Sequence, residues 1–184
     1  MLFIFSIERF LSIEVIIKKL MESKRIVILG VGNILLKDEG VGVRVIEKLG
    51  EHYFFPDNVE LVDGGTLGLQ LLGTVAEADY LIVVDAVKNG KLPGTLYRFE
   101  TEDIPHRVAY KNSLHQVDLL ESLTLSQALG NTPETVILGV EPEDISPWGT
   151  ELTPAVQGKV PELMKLVLKE LDRLNIKYTL MEET

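Results

Sequence analysis

The chain of 184 residues contains no cysteine. This absence excludes disulfide bonds, a thiol nucleophile, iron–sulfur clusters and zinc sites built on thiolates. A metal ion at any site of this protein would therefore be bound by carboxylate and imidazole groups. Imidazole is scarce as well, because the only histidines are His52, His106 and His115.

Basic residues are few, since 18 Lys and Arg residues stand against 28 Asp and Glu residues and give a formal net charge of −10. Nucleic-acid binding depends on clustered Lys and Arg side chains that neutralise phosphates. The chain has no basic stripe, so we expect no nucleic-acid partner. The acidic balance is equally that of an ordinary cytoplasmic protein, and we expect this localisation.

A long uninterrupted apolar run is also missing. Residues 1–23 are rich in apolar side chains, but charged residues interrupt them too often for a membrane span, which needs about 20 mostly apolar residues. They also lack the basic start and the cleavage site of a secretory signal. We expect an amphipathic leader at 1–23, followed by a single domain at 24–184. A further hypothesis places the biological start at Met21, and a full-length intact mass from native cells would exclude it.

What the chain does contain is an alternation of strand-like and helix-like segments. Ile26–Leu29 and Tyr80–Val84 are continuous apolar runs, which are typical of strands covered on both faces in a parallel sheet. Val41–His52 has apolar residues at helical spacing. The other predicted elements are strands at Val59–Val62, Gly94–Phe99 (an exposed edge strand, possibly antiparallel), Thr135–Val140 and Ile176–Leu180, and helices at Thr66–Gly73, Ser113–Leu129 and Thr153–Leu174. This pattern predicts a three-layer, doubly wound α/β domain.

Acidic residues follow the first and third core strands of this prediction. The first strand runs through a glycine turn, Gly30–Asn33, to Asp38 and Glu39, and the third ends at Asp85. In a doubly wound sheet of order 2-1-3 these two strands are neighbours, and ligands bind at their carboxyl edge. Glu39 and Asp85 are therefore candidate ligands, although each could instead be a helix-start or turn acid. We interpret Asp38 as a helix-start acid.

The other candidate ligands are a histidine and a third aspartate. His115 lies in the first turn of a helix capped by Ser113, where the helix dipole favours the neutral imidazole that a metal requires. His106 lies in an irregular loop and stays an alternative, whereas His52 is expected to be solvated at a helix end. Asp63 ends the second strand within DGGT and is either a turn residue or part of the cleft.

The glycine turn also resembles the start of a dinucleotide-binding fingerprint. The third glycine of that fingerprint would fall at Leu35, so the signal is weak and we expect no nucleotide. A Rossmann-like nucleotide-binding protein remains the alternative from another class. It would bind a nucleotide with measurable heat and would cleave no peptide.

Six segments resemble, in this order and spacing, the nickel–iron hydrogenase maturation endopeptidases. They are ILGVGNILLKDEGVGVRVIEKL, VELVDGGTLGLQLLG, LIVVDAV, PGTLYRF, LHQVDLL and LGVEPEDISPWGTELTPAV, and they span about residues 25–175. The resemblance implies a twisted, mostly parallel sheet of about five strands flanked by helices. It also implies an endopeptidase that trims the C-terminal extension of the hydrogenase large-subunit precursor after nickel insertion, cleaving after a basic residue beyond the Cys-x-x-Cys motif.

The resemblance also assigns roles to individual residues. The metal-contacting residues of the family correspond to Glu39, Asp85 and His115, and Asp63 corresponds to an aspartate associated with substrate recognition. Nickel would be carried by the precursor and would polarise the scissile carbonyl or the attacking water. No serine lies on a nucleophile elbow. A mechanism with paired Asp63 and Asp85 stays open, as does a non-hydrolytic nickel-dependent docking chaperone, and we expect a monomer.

Overall fold

The computed structural model describes residues 24–65, 71–100, 123–128, 130, 132–146 and 148–181. In this part of the chain the strands are β1 (Ile26–Val31), β2 (Tyr53–Phe54), β3 (Val59–Gly65), β4 (Tyr80–Ala86), β5 (Leu96–Glu100), β6 (Glu134–Val140) and β7 (Thr179–Leu180). Five of them form one sheet of order β3-β1-β4-β6-β5, in which only β5 is antiparallel. The predicted mostly parallel α/β sheet, its 2-1-3 strand order and its antiparallel edge are confirmed.

Helices cover the sheet on both faces. They are α1 (Val41–His52), α2 (Leu72–Glu77), α3 (described over residues 123–128), α4 (Pro154–Gln157) and α5 (Val160–Arg173), with a 3-10 helix at Lys37–Gly40. Side chains of β1 alternate between two cores, since Ile26 and Ile28 pack with α1 and α5 whereas Val27 and Leu29 pack with α2. Burial on both faces explains the continuous apolar runs, and α1 has the bounds that its periodicity predicts.

Two predicted helix boundaries are wrong. The helix expected to end at Gly73 continues to Glu77, because Val75 is buried in the core and its packing outweighs the helix penalty of glycine. The single helix expected from Thr153 to Leu174 is interrupted at residues 158–159, between α4 and α5. Pro161 has no N–H group and suits a helix start better than a helix interior, so a second helix begins at Val160 with Pro161 in its first turn.

The expected short terminal strand is present as β7, which pairs antiparallel with β2 in a separate two-stranded sheet. Because α1 starts at the carboxyl edge of the main sheet, β2 lies near the opposite edge. The predicted starts of the second and third helices, Thr66 and Ser113, lie outside the described residues. No helix in the described ranges has the length and apolar character needed to cross a membrane.

Candidate active site

Asp63 and Asp85 lie at the carboxyl edge of the sheet on either side of β1. Gly30 of β1 is level with Asp63 of β3 and with Val84 of β4, and Asp85 follows Val84 directly. Strands are spaced by about 4.8 Å, so the backbones of β3 and β4 are about 10 Å apart. Asp63 is exposed to solvent, whereas Asp85 is only 5% exposed.

The faces of the two strands separate these aspartates further. Val59 and Leu61 of β3 pack into the core under α1 and α5, whereas Leu81 and Val83 of β4 pack into the core under α2. Alternation along each strand therefore places Asp63 and Asp85 on opposite faces of the sheet. Carboxylates that share a proton lie about 3 Å apart. This placement disfavours a paired-aspartate mechanism.

Glu39 reaches the same edge from the 3-10 helix that follows β1. Glu39 is 7% exposed, and the backbone of its segment packs closely against Gly32, just after the end of β1. Gly32, at a φ of +126°, makes this possible, because a Cβ there would lie 1.7 Å from the carbonyl oxygen of Glu39. Glycine adopts this backbone conformation without strain. The glycine turn therefore seats Glu39 on the sheet.

A second glycine holds the start of α1 against β4. A Cβ on Gly42 would lie 2.2 Å from the carbonyl oxygen of Val84 and 2.4 Å from that of Val31. Because Val84 precedes Asp85, this close approach brings the segment of Glu39 to the end of β4. Two buried carboxylates thus lie where β1 and β4 end side by side. Carboxylates are buried in proteins only with compensating hydrogen bonds, cations or metal ions.

The predicted third ligand, His115, and its alternative, His106, lie outside the described residues. Within the ranges that the structure describes, no group of three His, Asp or Glu side chains could hold a metal ion. His52 is exposed at the end of α1, as expected, and its Nδ1 lies 2.8 Å from the carbonyl oxygen of Lys48. The described structure therefore brings the backbone segments of two of the three predicted metal-contacting residues, Glu39 and Asp85, to the same edge of the sheet.

Asp38 lies in the first turn of the 3-10 helix, as predicted for a helix-start acid, and it has a second role that was not predicted. Its side chain is 0% exposed and accepts hydrogen bonds from the loop after β6. The donors are the backbone N–H groups of Glu143 and Asp144, each at 2.9 Å, and both the N–H (2.7 Å) and the hydroxyl (2.9 Å) of Thr153. Thr153 therefore makes no side-chain capping bond in α4, although its spacing before Pro154 predicts one. Nothing in the local sequence around Asp38 signals this contact.

Further contacts join the same loop to the segment before Glu39. The Lys37 ammonium pairs with the Asp144 carboxylate and lies 3.2 Å from the Ser146 hydroxyl. The bonds from Lys37 and Ser146 hold the pKa of Asp144 below its ordinary value. The backbone N–H of Lys37 also donates to the carbonyl of Gly149 at 2.8 Å. The loop after β6 is thereby fixed to Lys37 and Asp38, the first two residues of the 3-10 helix.

Glu141 is a further buried carboxylate at the carboxyl edge that sequence reasoning missed. It accepts hydrogen bonds from the N–H groups of Asn89 and Gly90 at 2.9–3.1 Å and from the hydroxyl of Tyr97. Burial alone would raise the pKa of Glu141, but the bonds from Tyr97 and from the backbone outweigh burial and lower it. Glu141 thus anchors the loop after β4, and its bonds are satisfied within the protein.

Comparison with known proteins identifies the family. The sequence pattern of the family described as hydrogenase maturation protease matches residues 43–170. The chain belongs to this family. The protease is 42% identical over 149 residues to the hydrogenase 2 maturation protease of Escherichia coli strain K12, and the match covers 80% of this chain and 90% of that relative.

Other relatives of the protease agree with this assignment. The hydrogenase expression/formation protein HupD of Bradyrhizobium diazoefficiens is 41% identical over 152 residues, which cover 82% of this chain and 79% of HupD. The solved structure of the hydrogenase maturating endopeptidase HybD from Escherichia coli matches with a TM-score of 0.81 at 39% identity, over 85% of this chain and 97% of that one. The predicted family and the predicted endopeptidase class are confirmed.

Proposed function

We propose that this protease removes the C-terminal extension of the precursor of a nickel–iron hydrogenase large subunit after nickel has been inserted. The membership in the maturation endopeptidases supports the class of reaction and the hydrogenase substrate. The observation that carries the proposal for the site is the burial of Glu39 and Asp85 where β1 and β4 end side by side. Open α/β sheets bind their ligands at this edge.

Nickel enters this proposal as part of the substrate. Glu39, Asp85 and His115 would contact a nickel ion that the precursor already holds, and oxygen and imidazole donors suit such a borderline divalent cation. The protease itself has no cysteine, so any thiolate ligands of the nickel would come from the precursor. Recognition of the loaded metal would then restrict processing to precursors that have received it.

The candidate residues of this chain would have different roles in the reaction. Glu39 and Asp85 would fix the precursor's metal site at the carboxyl edge, and the nickel would polarise the scissile carbonyl or the attacking water. Asp63 is exposed on the other side of β1, where its carboxylate would attract the basic residue that precedes the scissile bond. The roles of Asp63 and Asp85 thus differ, in keeping with their placement on opposite faces of the sheet.

The decisive experiment compares nickel-loaded with nickel-free precursor and reads the C-terminal mass of each after incubation with the protease. We expect cleavage of the loaded precursor alone. Cleavage of neither form contradicts the proposed function. A stable complex with the loaded precursor whose C-terminus stays intact indicates a docking chaperone, and cleavage of both forms removes the role of nickel.

The assignment of His115 needs a test of its own. His115→Ala should abolish cleavage of the loaded precursor, because the variant lacks the imidazole that contacts nickel, whereas His106→Ala should retain cleavage. Circular dichroism checks that both variants fold. The opposite result would assign the imidazole role to His106.

A further inference from the structure

Three large apolar side chains are exposed next to the segment that carries Glu39. Ile34 is 37% exposed, Leu35 is 45% exposed and Trp148, the only tryptophan of the chain, is 82% exposed. Single exposed apolar residues are common, but contiguous ones mark surfaces that bind other molecules. We refer to these three residues as the apolar surface.

Backbone contacts bring Leu35 and Trp148 together, and Ile34 precedes Leu35 in the chain. The N–H of Gly149 donates to the carbonyl of Leu35 at 3.0 Å, and Leu36 and Gly149 form a parallel β-bridge. Backbones paired in this way lie about 4.8 Å apart. Since Trp148 directly precedes Gly149, residues that are more than 100 positions apart in sequence become neighbours.

The apolar surface rests on a firmly held loop. The bonds that Asp38 accepts from residues 143, 144 and 153 fix both ends of the loop that carries Trp148. The backbone bonds of Gly149 with Leu35 and Lys37 fix it in between. Binding to a surface that is already ordered costs less conformational entropy than binding to a mobile loop. Trp148 is therefore presented to solvent from a backbone that is set before a partner arrives.

The apolar surface lies within reach of the candidate active site. Leu35 and Glu39 are four residues apart, which limits the distance between their Cα atoms to about 14 Å. An extended peptide covers this distance with four or five residues. A substrate whose scissile bond lies near Glu39 would therefore contact the apolar surface with residues close to that bond.

Charge indicates the chemistry of the partner. Glu143 and Glu151, in the same loop as Trp148, are exposed, and Lys37 is paired with Asp144. The net charge of −10 adds a long-range attraction for basic segments. The partner that fits is a peptide segment with an apolar side chain flanked by Lys or Arg.

We propose that the apolar surface of Ile34, Leu35 and Trp148 docks a segment of the hydrogenase precursor adjacent to its cleavage site. This inference rests on the proposed function and names the docking surface of that site. A second copy of the chain is the poorer fit. An aromatic side chain buries at most about 250 Å², so one tryptophan and two smaller aliphatic side chains stay below the roughly 800 Å² per partner of a stable interface. A buried tryptophan supplies much of the affinity of a small interface.

The single tryptophan makes this surface measurable. Protease containing 5-fluorotryptophan gives one ¹⁹F resonance, from Trp148, and unlabelled nickel-loaded precursor contributes none. We expect the resonance to shift during titration with the precursor. Trp148→Ala should raise KM for the loaded precursor by about tenfold or more while kcat stays within about twofold. Leu35→Asp should raise KM further, because it places a carboxylate in the apolar contact.

Phe54→Ala is the matched control, since Phe54 is an exposed aromatic residue on β2, near the opposite edge of the sheet. Its KM should equal that of the unmodified protease. An unmoved resonance with an unchanged KM for Trp148→Ala, in protease that cleaves the precursor, overturns the docking surface and leaves the proposed function standing. A shift that depends only on protease concentration assigns the surface to self-association and overturns the inference. If the unmodified protease cleaves no precursor, the result contradicts the proposed function, and the inference that rests on it is overturned as well.

Discussion

Asp38 accepts two hydrogen bonds from Thr153, one from its backbone N–H at 2.7 Å and one from its hydroxyl at 2.9 Å, although the two residues are 115 positions apart. Glu39, the candidate metal-contacting acid, is the next residue after Asp38. The contact therefore joins the loop that carries Trp148 to the segment that carries the candidate acid. Changes at Asp38 should affect stability and cleavage together.

Asp38→Asn should lower the free energy of unfolding by about 2–3 kcal/mol. An amide has one acceptor oxygen, so at least one buried donor of the loop loses its partner, and each such donor costs about 1–3 kcal/mol. Urea denaturation measures the loss. Thr153→Val removes only the hydroxyl donor and should cost about 1 kcal/mol. Unchanged unfolding of Asp38→Asn would contradict the anchoring role.

Glu39→Gln and Asp85→Asn should each reduce cleavage of loaded precursor by about 100-fold or more, the usual effect of removing one preorganised electrostatic contact. Both substitutions keep the shape of the side chain, so the fold should persist. Glu47→Gln is the control, because Glu47 lies on the exposed side of α1 and pairs with Arg44 at 3.0 Å. C-terminal mass measured over time gives the rates. Full activity in either variant would remove that residue from the site.

Gly42→Ala should destabilise the protease severely and impair cleavage. The added Cβ would lie 2.2 Å from the carbonyl oxygen of Val84, so α1 and β4 must move apart. Gly73→Ala is the opposite case, because a Cβ there meets nothing within 4 Å and the position is inside α2. That change should stabilise by about 0.5–1 kcal/mol. Thermal unfolding compares the two, and equal midpoints for both variants would contradict the close packing.

Acidification should lower the free energy of unfolding, because it protonates the carboxylate of Glu170. Arg98 donates to this buried carboxylate at 2.9 and 3.1 Å, and Arg173 donates at 2.8 and 3.0 Å. Burial alone would raise the pKa of Glu170, but the bonds from Arg98 and Arg173 outweigh burial and lower it below 4.5. A carboxyl group whose pKa is lower in the folded state than in the unfolded state stabilises the fold at pH values above its unfolded pKa. This stabilisation is lost as the pH falls through the folded-state pKa.

The free energy of unfolding should therefore decrease as the pH falls below about 4.5, the usual pKa of the group. Glu170→Gln should be less stable at neutral pH and should lose less stability on acidification, because it has no carboxylate to protonate. Denaturant unfolding at a series of pH values gives both slopes. Parallel curves for the variant and the unmodified protease would exclude Glu170 as a source of the acid sensitivity.

The fold was predictable where the signal is local. The continuous apolar runs of β1 and β4 follow from burial on both faces, and α1 follows from the spacing of Val41, Val45 and Leu49. Boundaries set by tertiary packing were not predictable. Gly73 looks like a helix end, but the burial of Val75 carries α2 past it.

The candidate site, like the fold, was predictable only in part. Glu39 and Asp85 could be brought together from strand order, because topology alone places the ends of neighbouring parallel strands at one edge. Asp38 and Glu141 were missed, since their roles depend on backbone N–H groups of distant loops, which no residue type signals. The exposure of Trp148 beside Leu35 likewise depends on a bridge between segments far apart in the chain.

The contact between Asp38 and Thr153 also has a consequence for biosynthesis. A nascent chain that has emerged only through β6 contains β1, β3 and β4, but it lacks all four donors to Asp38, which belong to Glu143, Asp144 and Thr153. Closing a loop of this length is entropically costly until the helices that follow Thr153 pack on the sheet. A ribosome-bound fragment that ends at β6 therefore cannot make the contacts that fix the 3-10 helix to the loop after β6, and the full set forms only once Thr153 has been synthesised.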